Sequence, residues 1–214
     1  MGVSGKVISL LSGGIDSPVA SYLMMKRGCP VIVVHCYNKS INKAGSLEKV
    51  KELATLLKKY QPKSKLYLIP FETIQNEIIK AVPSEYRMIS YRRMMFQIAE
   101  NIAKKEKAQA LVTGESTGQV ASQTIENMAT IESIATLPIL RPLISFDKQE
   151  IIQVAENIGT FKTSILPYED CCSFMIATHP VTKSNKTTIE KLEKPLEGRS
   201  LIEEAIKNAE IIPC

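Results

Sequence analysis

The strongest constraint on this chain is the stretch Ser12-Gly13-Gly14-Ile15-Asp16-Ser17, with Pro18 behind it. In front of it lies Lys6-Val7-Ile8-Ser9-Leu10-Leu11, an apolar run that reads as a buried parallel strand. Behind it, residues 19–28 read as a helix closed by Gly28. Ser17 reads as the N-cap and Pro18 as the first helical residue, where a missing N–H is no loss. A strand, a glycine-rich turn and a helix N-terminus aim several backbone N–H groups at one point, which suits a phosphate. Two adjacent glycines leave no Cβ to hinder close approach. The turn lacks the lysine that a Walker A loop requires; its charged residue is Asp16. An acid inside a phosphate site makes chemical sense if it helps to hold Mg²⁺ against phosphate oxygens.

A chain of 214 residues can bury a full core, and 44% hydrophobic with 23% charged residues is ordinary for a globular protein. No apolar run approaches membrane-spanning length, so no membrane association is expected. The N-terminus leads straight into the first strand without a secretory signal, which points to the cytoplasm. The five cysteines (Cys29, Cys36, Cys171, Cys172 and Cys214) have no disulfide-scaffold spacing and read as thiols. The net charge of +5 permits a polyanionic partner without requiring one.

Along the chain, residues 30–36 form a second β-branched strand, parallel to the first because a helix joins them. His35 and Cys36 then fall at its C-terminal end, where open α/β sheets bind ligands. A helix is expected over 46–60, a third strand over 65–70 and a helix over 71–81, broken at Val82-Pro83-Ser84. Met88, Tyr91, Met95, Ile98 and Ile102 mark a long helix whose methionines read as core. Arg92 and Arg93 near its front read, on residue type, as a surface pair. A fourth strand over 109–113 runs into the polar loop 114–124, suited to closing over a nucleotide. A short fifth strand is expected over 137–143, followed by a helix entered through Ser145-Phe146-Asp147-Lys148 and stopped at Gly159. Lys148 in a first helical turn opposes the helix dipole, a local conflict that hints at a role. Cys171 and Cys172 are adjacent, which disfavours joint chelation of one ion and favours a nucleophile with its companion. Residues 173–214 read as a polar tail with two short helices, so the expected organisation is a domain over 1–180 and a packed extension over 181–214. The expected fold class is α/β, with a mainly parallel five-stranded sheet and helices on both faces.

The S-G-G-x-D-S turn resembles the PP-loop of the ATP pyrophosphatases. With Arg92-Arg93-Met94-Met95, Thr113-Gly114-Glu115, Gly118-Gln119-Val120, Ser122-Gln123-Thr124, Leu140-Arg141-Pro142-Leu143, Asp147-Lys148 and 167–172 in this order, the chain resembles the PP-loop domain of the ThiI-type tRNA 4-thiouridine synthetases. The resemblance implies a Rossmann-like adenine nucleotide α-hydrolase fold. It implies ATP contacts at Leu10, Leu11, Ser12, Gly13, Gly14, Ile15, Asp16, Ser17, His35, Cys36, Arg92, Gly114, Gln119 and Gln123. Asp16 would face Mg²⁺, Lys148 would support activity, and Cys171, with Cys172 beside it, would handle sulfur.

The implied activity adenylylates uridine O4, releases pyrophosphate and then transfers sulfur from a persulfide; a link to thiamine thiazole synthesis comes with the family. The implied partners are tRNA and a persulfide donor such as a cysteine desulfurase, and a homodimer is compatible with them. Full-length relatives carry ferredoxin-like and THUMP regions, for which there is no room before residue 6. RNA would therefore be gripped by a separate THUMP-type protein, or the chain is a fragment, or the acceptor differs. Cys214 reads as a mobile terminal residue. The alternatives are a PP-loop ligase or amidase with another acceptor, and an ATP-binding or Fe–S-linked subunit without turnover.

Overall fold

A computed structural model of the chain describes residues 4–40, 44–167 and 171–214. Parts of three expected features lie outside the described residues: the leader at 1–3, the polar loop at 41–43 and the cysteine motif at 168–170. The described elements run β1 (Val7–Leu10), α1 (Asp16–Lys26), β2 (Val31–Tyr37), α2 (Ala44–Leu57), β3 (Lys65–Pro70), α3 (Glu72–Ala81), α4 (Arg87–Glu106) and β4 (Ala110–Val112). There follow α5 (Ile125–Glu132), β5 (Ile139–Leu140), α6 (Lys148–Asn157), α7 (Phe161–Ser164), α8 (Lys186–Glu193), α9 (Gly198–Lys207) and β6 (Glu210–Pro213).

The six strands lie in the order β5-β4-β1-β2-β3-β6. All neighbours are parallel except β3 and β6, where Leu66 faces Ile212 in an antiparallel pair. The five expected strands are present, and the count is corrected to six by β6. This strand is four residues long and mostly exposed at the sheet edge, so it carries no alternation to read.

Successive strand residues point to opposite faces, and the two cores follow that period. Ile8, Ile32, Val34, Tyr67, Ile69 and Leu111 face one core, which α3, α4, α8 and α9 complete with Ile74, Phe96, Ile189 and Ile202. Val7, Val31, Val33, Leu66, Leu68 and Val112 face the other, completed by Val19, Leu53 and Ile151 from α1, α2 and α6. Being covered on both faces is what makes β1 to β4 nearly continuous apolar runs.

The strand order reverses between β1 and β4, since β2 and β3 lie to one side of β1 and β4 and β5 to the other. Outside the carboxyl ends of β1 and β4, their following loops part in opposite directions and leave a crevice.

Two terminal features differ from expectation. Helix α1 begins at Asp16 rather than after Ser17, and its N-cap position, Ile15, makes no side-chain cap. Pro18 is tolerated as the third residue of α1 because first-turn amides have no intrahelical acceptor. Cys214 is not loose: its N–H donates to Ser64 O at 3.0 Å and its carbonyl accepts from Ser64 N at 2.9 Å. Ser64 lies at the N-terminal end of β3, the end away from the crevice, about 20 Å from it at strand rise. Burial pushes the Cys214 thiol up. Cys214 therefore cannot substitute for a thiol at the crevice.

Candidate active site

The crevice is a cavity of about 410 Å³. Its floor is made of strand tips: Leu10 and Leu11 after β1, Val34, His35 and Cys36 of β2, and Thr113, Gly114 and Glu115 after β4. Met88, Arg92, Met95 and Phe96 of α4 form one wall, and Val120, Ser122 and Gln123 another. Ser12, Gly14, Asp16 and Ser17 close one end, and a 3₁₀ turn, Cys171–Ser173, closes the other.

The glycine turn is shaped by its own serines. Ser12 N–H donates to Ser17 Oγ at 2.7 Å, and Gly14 N–H donates to Ser12 Oγ at 3.2 Å. Ser17 thus fastens the turn instead of capping the helix, which is why the expected cap is not made. The turn meets the loop after β4 backbone to backbone: a Cβ on Gly114 would stand 2.7 Å from Ser17 N and 2.8 Å from the Asp16 carbonyl carbon. Lys148, the first residue of α6, donates from Nζ to Asp16 Oδ1 at 2.6 Å. The dipole conflict of Lys148 is answered by this contact with the acid at the start of α1. Its helix is otherwise well begun, with Asp147 and Glu150 forming a reciprocal capping box.

Glu115 is the electrostatic centre. It is 2% exposed, accepts from Arg92 Nη2 at 2.5 Å and Arg141 Nε at 2.8 Å, and takes a third bond from Thr113 Oγ1 at 2.8 Å. Burial pushes its carboxyl up, but the Arg92 and Arg141 guanidiniums and the hydrogen bonds outweigh burial and hold it below the usual carboxylate range. The unfolded chain therefore takes up this proton first. The stabilisation is complete above the ordinary carboxyl value and is lost as pH falls through the folded value. Glu115→Gln should lower stability by about 3 kcal/mol near neutrality, the cost of breaking a buried pair. Melting curves against pH check this: the gap between wild type and variant should narrow as the solution is acidified, and a gap independent of pH would disprove the assignment.

Of the sequence-expected residues, Leu10, Leu11, Ser12, Gly14, Asp16, Ser17, His35, Cys36, Arg92, Gly114, Gln123, Cys171 and Cys172 line the cavity. Lys148 reaches it through Asp16. Gly13 and Ile15, though expected at the nucleotide, do not line the cavity, and Ile15 packs on the second core instead. Gln119 is exposed and is not brought to the cavity. His35 is buried, with Nδ1 bonded to Leu11 O at 2.8 Å.

Arg92 and Arg93 are not a surface pair. Arg92 lines the cavity, while Arg93 is 1% exposed and ties α4 to Glu193, Thr130 and Ser133. Met95 belongs to the core, as expected, and also to the cavity wall. The sequence reading assigned no role to Glu115 or Arg141. The available signal was a lone acid at a strand end in an otherwise uncharged run, 108–123. Gln123 is 92% buried, and its Oε1 has no partner among the described residues, an acceptor available to a ligand N–H.

A single carboxylate, Asp16, lines the glycine-turn end of the cavity, and among the described residues no three His, Cys, Asp or Glu side chains converge as metal ligands. The residues fit an ion held chiefly by a substrate's own phosphate oxygens, with Asp16 adding one ligand. Among the described residues no helix is long and apolar enough to cross a membrane.

The profile of the family described as Thiamine biosynthesis protein (ThiI) matches residues 2–197. A probable tRNA sulfurtransferase of Thermus thermophilus is 47% identical over 211 residues, covering 99% of this chain and 52% of that protein. One of Acetivibrio thermocellus is 47% identical over 212 residues, covering 99% and 54%. The chain thus spans about half the length of the curated relatives it matches. A crystal structure of a 4-thiouridine synthetase–RNA complex with bound ATP superposes with a TM-score of 0.95 at 42% identity, covering 100% of this chain and 56% of the other.

Proposed function

We propose, from the premise that this chain belongs to the ThiI family, that it is the ATP-using domain of a tRNA sulfurtransferase that makes 4-thiouridine. The observation that carries this reading is the cavity itself: the Ser12–Ser17 turn and the Cys171–Cys172 pair, distant in sequence, line one space. An activating phosphate site and a thiol are thereby offered to the same bound substrate.

In this reading ATP lies with its adenine against Met88, Met95 and Phe96, its amino group toward Gln123 Oε1 and its phosphates toward the turn and the N-terminus of α1. Uridine O4 attacks the α-phosphorus, and pyrophosphate leaves toward Ser12–Ser17. Arg92, held by Glu115, and Lys148 steady the phosphate charge. When bound, Mg²⁺ neutralises charge on the departing oxygens. The terminal sulfur of a persulfide then attacks C4 and AMP leaves, joining the base to the donor through an S–S bond. Cys171, as thiolate, attacks the donor-side sulfur, releasing the thiolated base and forming a disulfide with the donor that an external thiol reduces.

The donor is assigned to a cysteine desulfurase, and the grip on tRNA to a THUMP-type region outside these 214 residues. A thiamine-related sulfur acceptor and pairing of two copies belong to the same family expectation.

The test is pyrophosphate release from ATP with and without unmodified tRNA. Release that depends on tRNA and disappears in Asp16→Ala is the expected result. Release driven by a different acceptor would replace the substrate, and tight ATP binding with no release would overturn the reading.

A further inference from the structure

A buried amide chain runs from the end of β2 to the candidate sulfur cysteine. Gln75, on α3, is fully buried, and its Nε2 donates to the carbonyl of Cys171 at 2.7 Å. Asn38, one residue past β2 and also fully buried, donates from Nδ2 to Gln75 Oε1 at 2.8 Å. Asn38 Oδ1 in turn accepts from Ser40 N–H at 2.8 Å. The direction of this chain is fixed at both ends. A peptide carbonyl can only accept and a peptide N–H can only donate, so neither side-chain amide can be reversed without facing two acceptors or two donors at each other. The thiol of Cys171 closes the loop by donating to the carbonyl of Cys36 at 3.1 Å.

Other bonds hold the neighbouring residues. Tyr91 Oη donates to Phe174 O at 3.1 Å, and Arg87 Nη1 donates to Met175 O at 2.7 Å. On the upstream side Lys49 Nζ donates to the carbonyls of Ser164 and Leu166 at 2.9 and 2.6 Å. The Cys171 carbonyl also accepts from Phe174 N–H at 3.3 Å within its own turn, and Gln75 is the side chain that ties that carbonyl to α3.

We propose that the Asn38–Gln75 pair positions the Cys171 thiol: it pins the residue's backbone so that the sulfur stays sheltered against β2, at the floor of the nucleotide cavity. The pair is a positioning device and touches no substrate. Its link to catalysis rests on the proposed sulfur-transfer reading, whereas its effect on the thiol does not. Buried amides with both ends committed to backbone groups have few alternative arrangements, so loss of Gln75 should detach the Cys171 turn from α3 rather than re-route the chain.

The experiment is the rate of Cys171 carbamidomethylation by iodoacetamide in the full chain, mapped by mass spectrometry so that the other cysteines are counted separately. In Gln75→Leu the rate should rise at least tenfold, because a thiol that is 2% exposed in the intact protein becomes accessible. In Tyr91→Phe, which removes a tether one step away, it should stay within twofold. Thiolation turnover in Gln75→Leu should fall at least tenfold with KM for ATP within twofold. If Gln75→Leu does not fold, Gln75→Glu, assayed above neutral pH, keeps the shape and turns an oxygen against the Cys171 carbonyl; the same rise is expected. An unchanged rate in the Gln75 variant, or an equal rise in Tyr91→Phe, overturns the proposal. A rise in a protein whose wild type never thiolates tRNA leaves the positioning intact and removes the sulfur-transfer reading instead.

Discussion

Gly114→Ala is expected to weaken nucleotide binding at least about tenfold while leaving most of the fold standing. The added methyl would lie 2.7–2.8 Å from Ser17 N, the Asp16 carbonyl carbon and Ser17 Cα. All three are backbone atoms at the start of α1, so no side chain can swing aside to make room. Either the loop after β4 withdraws or the N-terminus of α1 does. Both movements widen the distance between the glycine turn and Glu115, and with it the position of Arg92. Overpacking of this kind costs about 1–3 kcal/mol, which a domain of this size can absorb. ATP affinity, which depends on several donors converging on one anion, should fall by at least about tenfold, the effect of 1.4 kcal/mol. Calorimetric titration with ATP beside a thermal melt checks both halves. Wild-type affinity in a folded Gly114→Ala protein would show that the contact between the two loops is not what shapes the phosphate end.

The second large effect is expected from Cys171→Ser, which should keep ATP activation and lose sulfur transfer. A serine hydroxyl occupies nearly the same space and can still donate to the Cys36 carbonyl, so the turn should remain in place. What is lost is the thiolate, the only form that attacks a sulfur–sulfur bond. Pyrophosphate release in the presence of tRNA should stay within a few-fold of wild type. The yield of 4-thiouridine, counted by mass spectrometry of digested tRNA, should drop by at least about a hundredfold, in the range expected when a covalent step loses its nucleophile. Cys172→Ser should have the smaller effect, since Cys172 is half-buried beside Met95, with its Sγ 3.8 Å from the methionine sulfur. Full thiolation by Cys171→Ser would take that residue out of the reaction and shift attention to its neighbour.

Where sequence reading and structure agree, the cause is local. The third strand is found at its expected bounds, Lys65–Pro70, because apolar residues stand between a polar loop and a proline-led helix start. The helix stops at Gly28 and Gly159 are real, with φ of +85° and +77° at positions where an L side chain would be strained. Where they disagree, the deciding partner lies elsewhere. Helix α5 is not among the expected elements because it spans only eight residues directly behind the polar loop, although Thr124 caps it by accepting from Asn127 N–H at 3.2 Å. Strand β6 exists because the exposed edge of β3 offers it hydrogen bonds. Arg93 looks like a surface cation, yet it is buried because Glu193, 100 residues on, neutralises it at 2.9 Å.

The sequence by itself determined a buried strand, a lysine-free glycine turn and a helix in succession, and with them the candidate phosphate site proposed here on an α/β sheet. These depend on side-chain period and turn chemistry among adjacent residues, which the order of amino acids states directly. Only the tertiary structure decided which polar groups meet: Asp16 with Lys148 across 132 residues, Cys171 with Gln75 across 96, and Glu115 with Arg92 across 23 and Arg141 across 26. A hydrogen bond or buried ion pair is made or lost over a fraction of an ångström, and that distance is set by how the helices pack on the sheet, so no neighbouring residues in the chain can encode it alone.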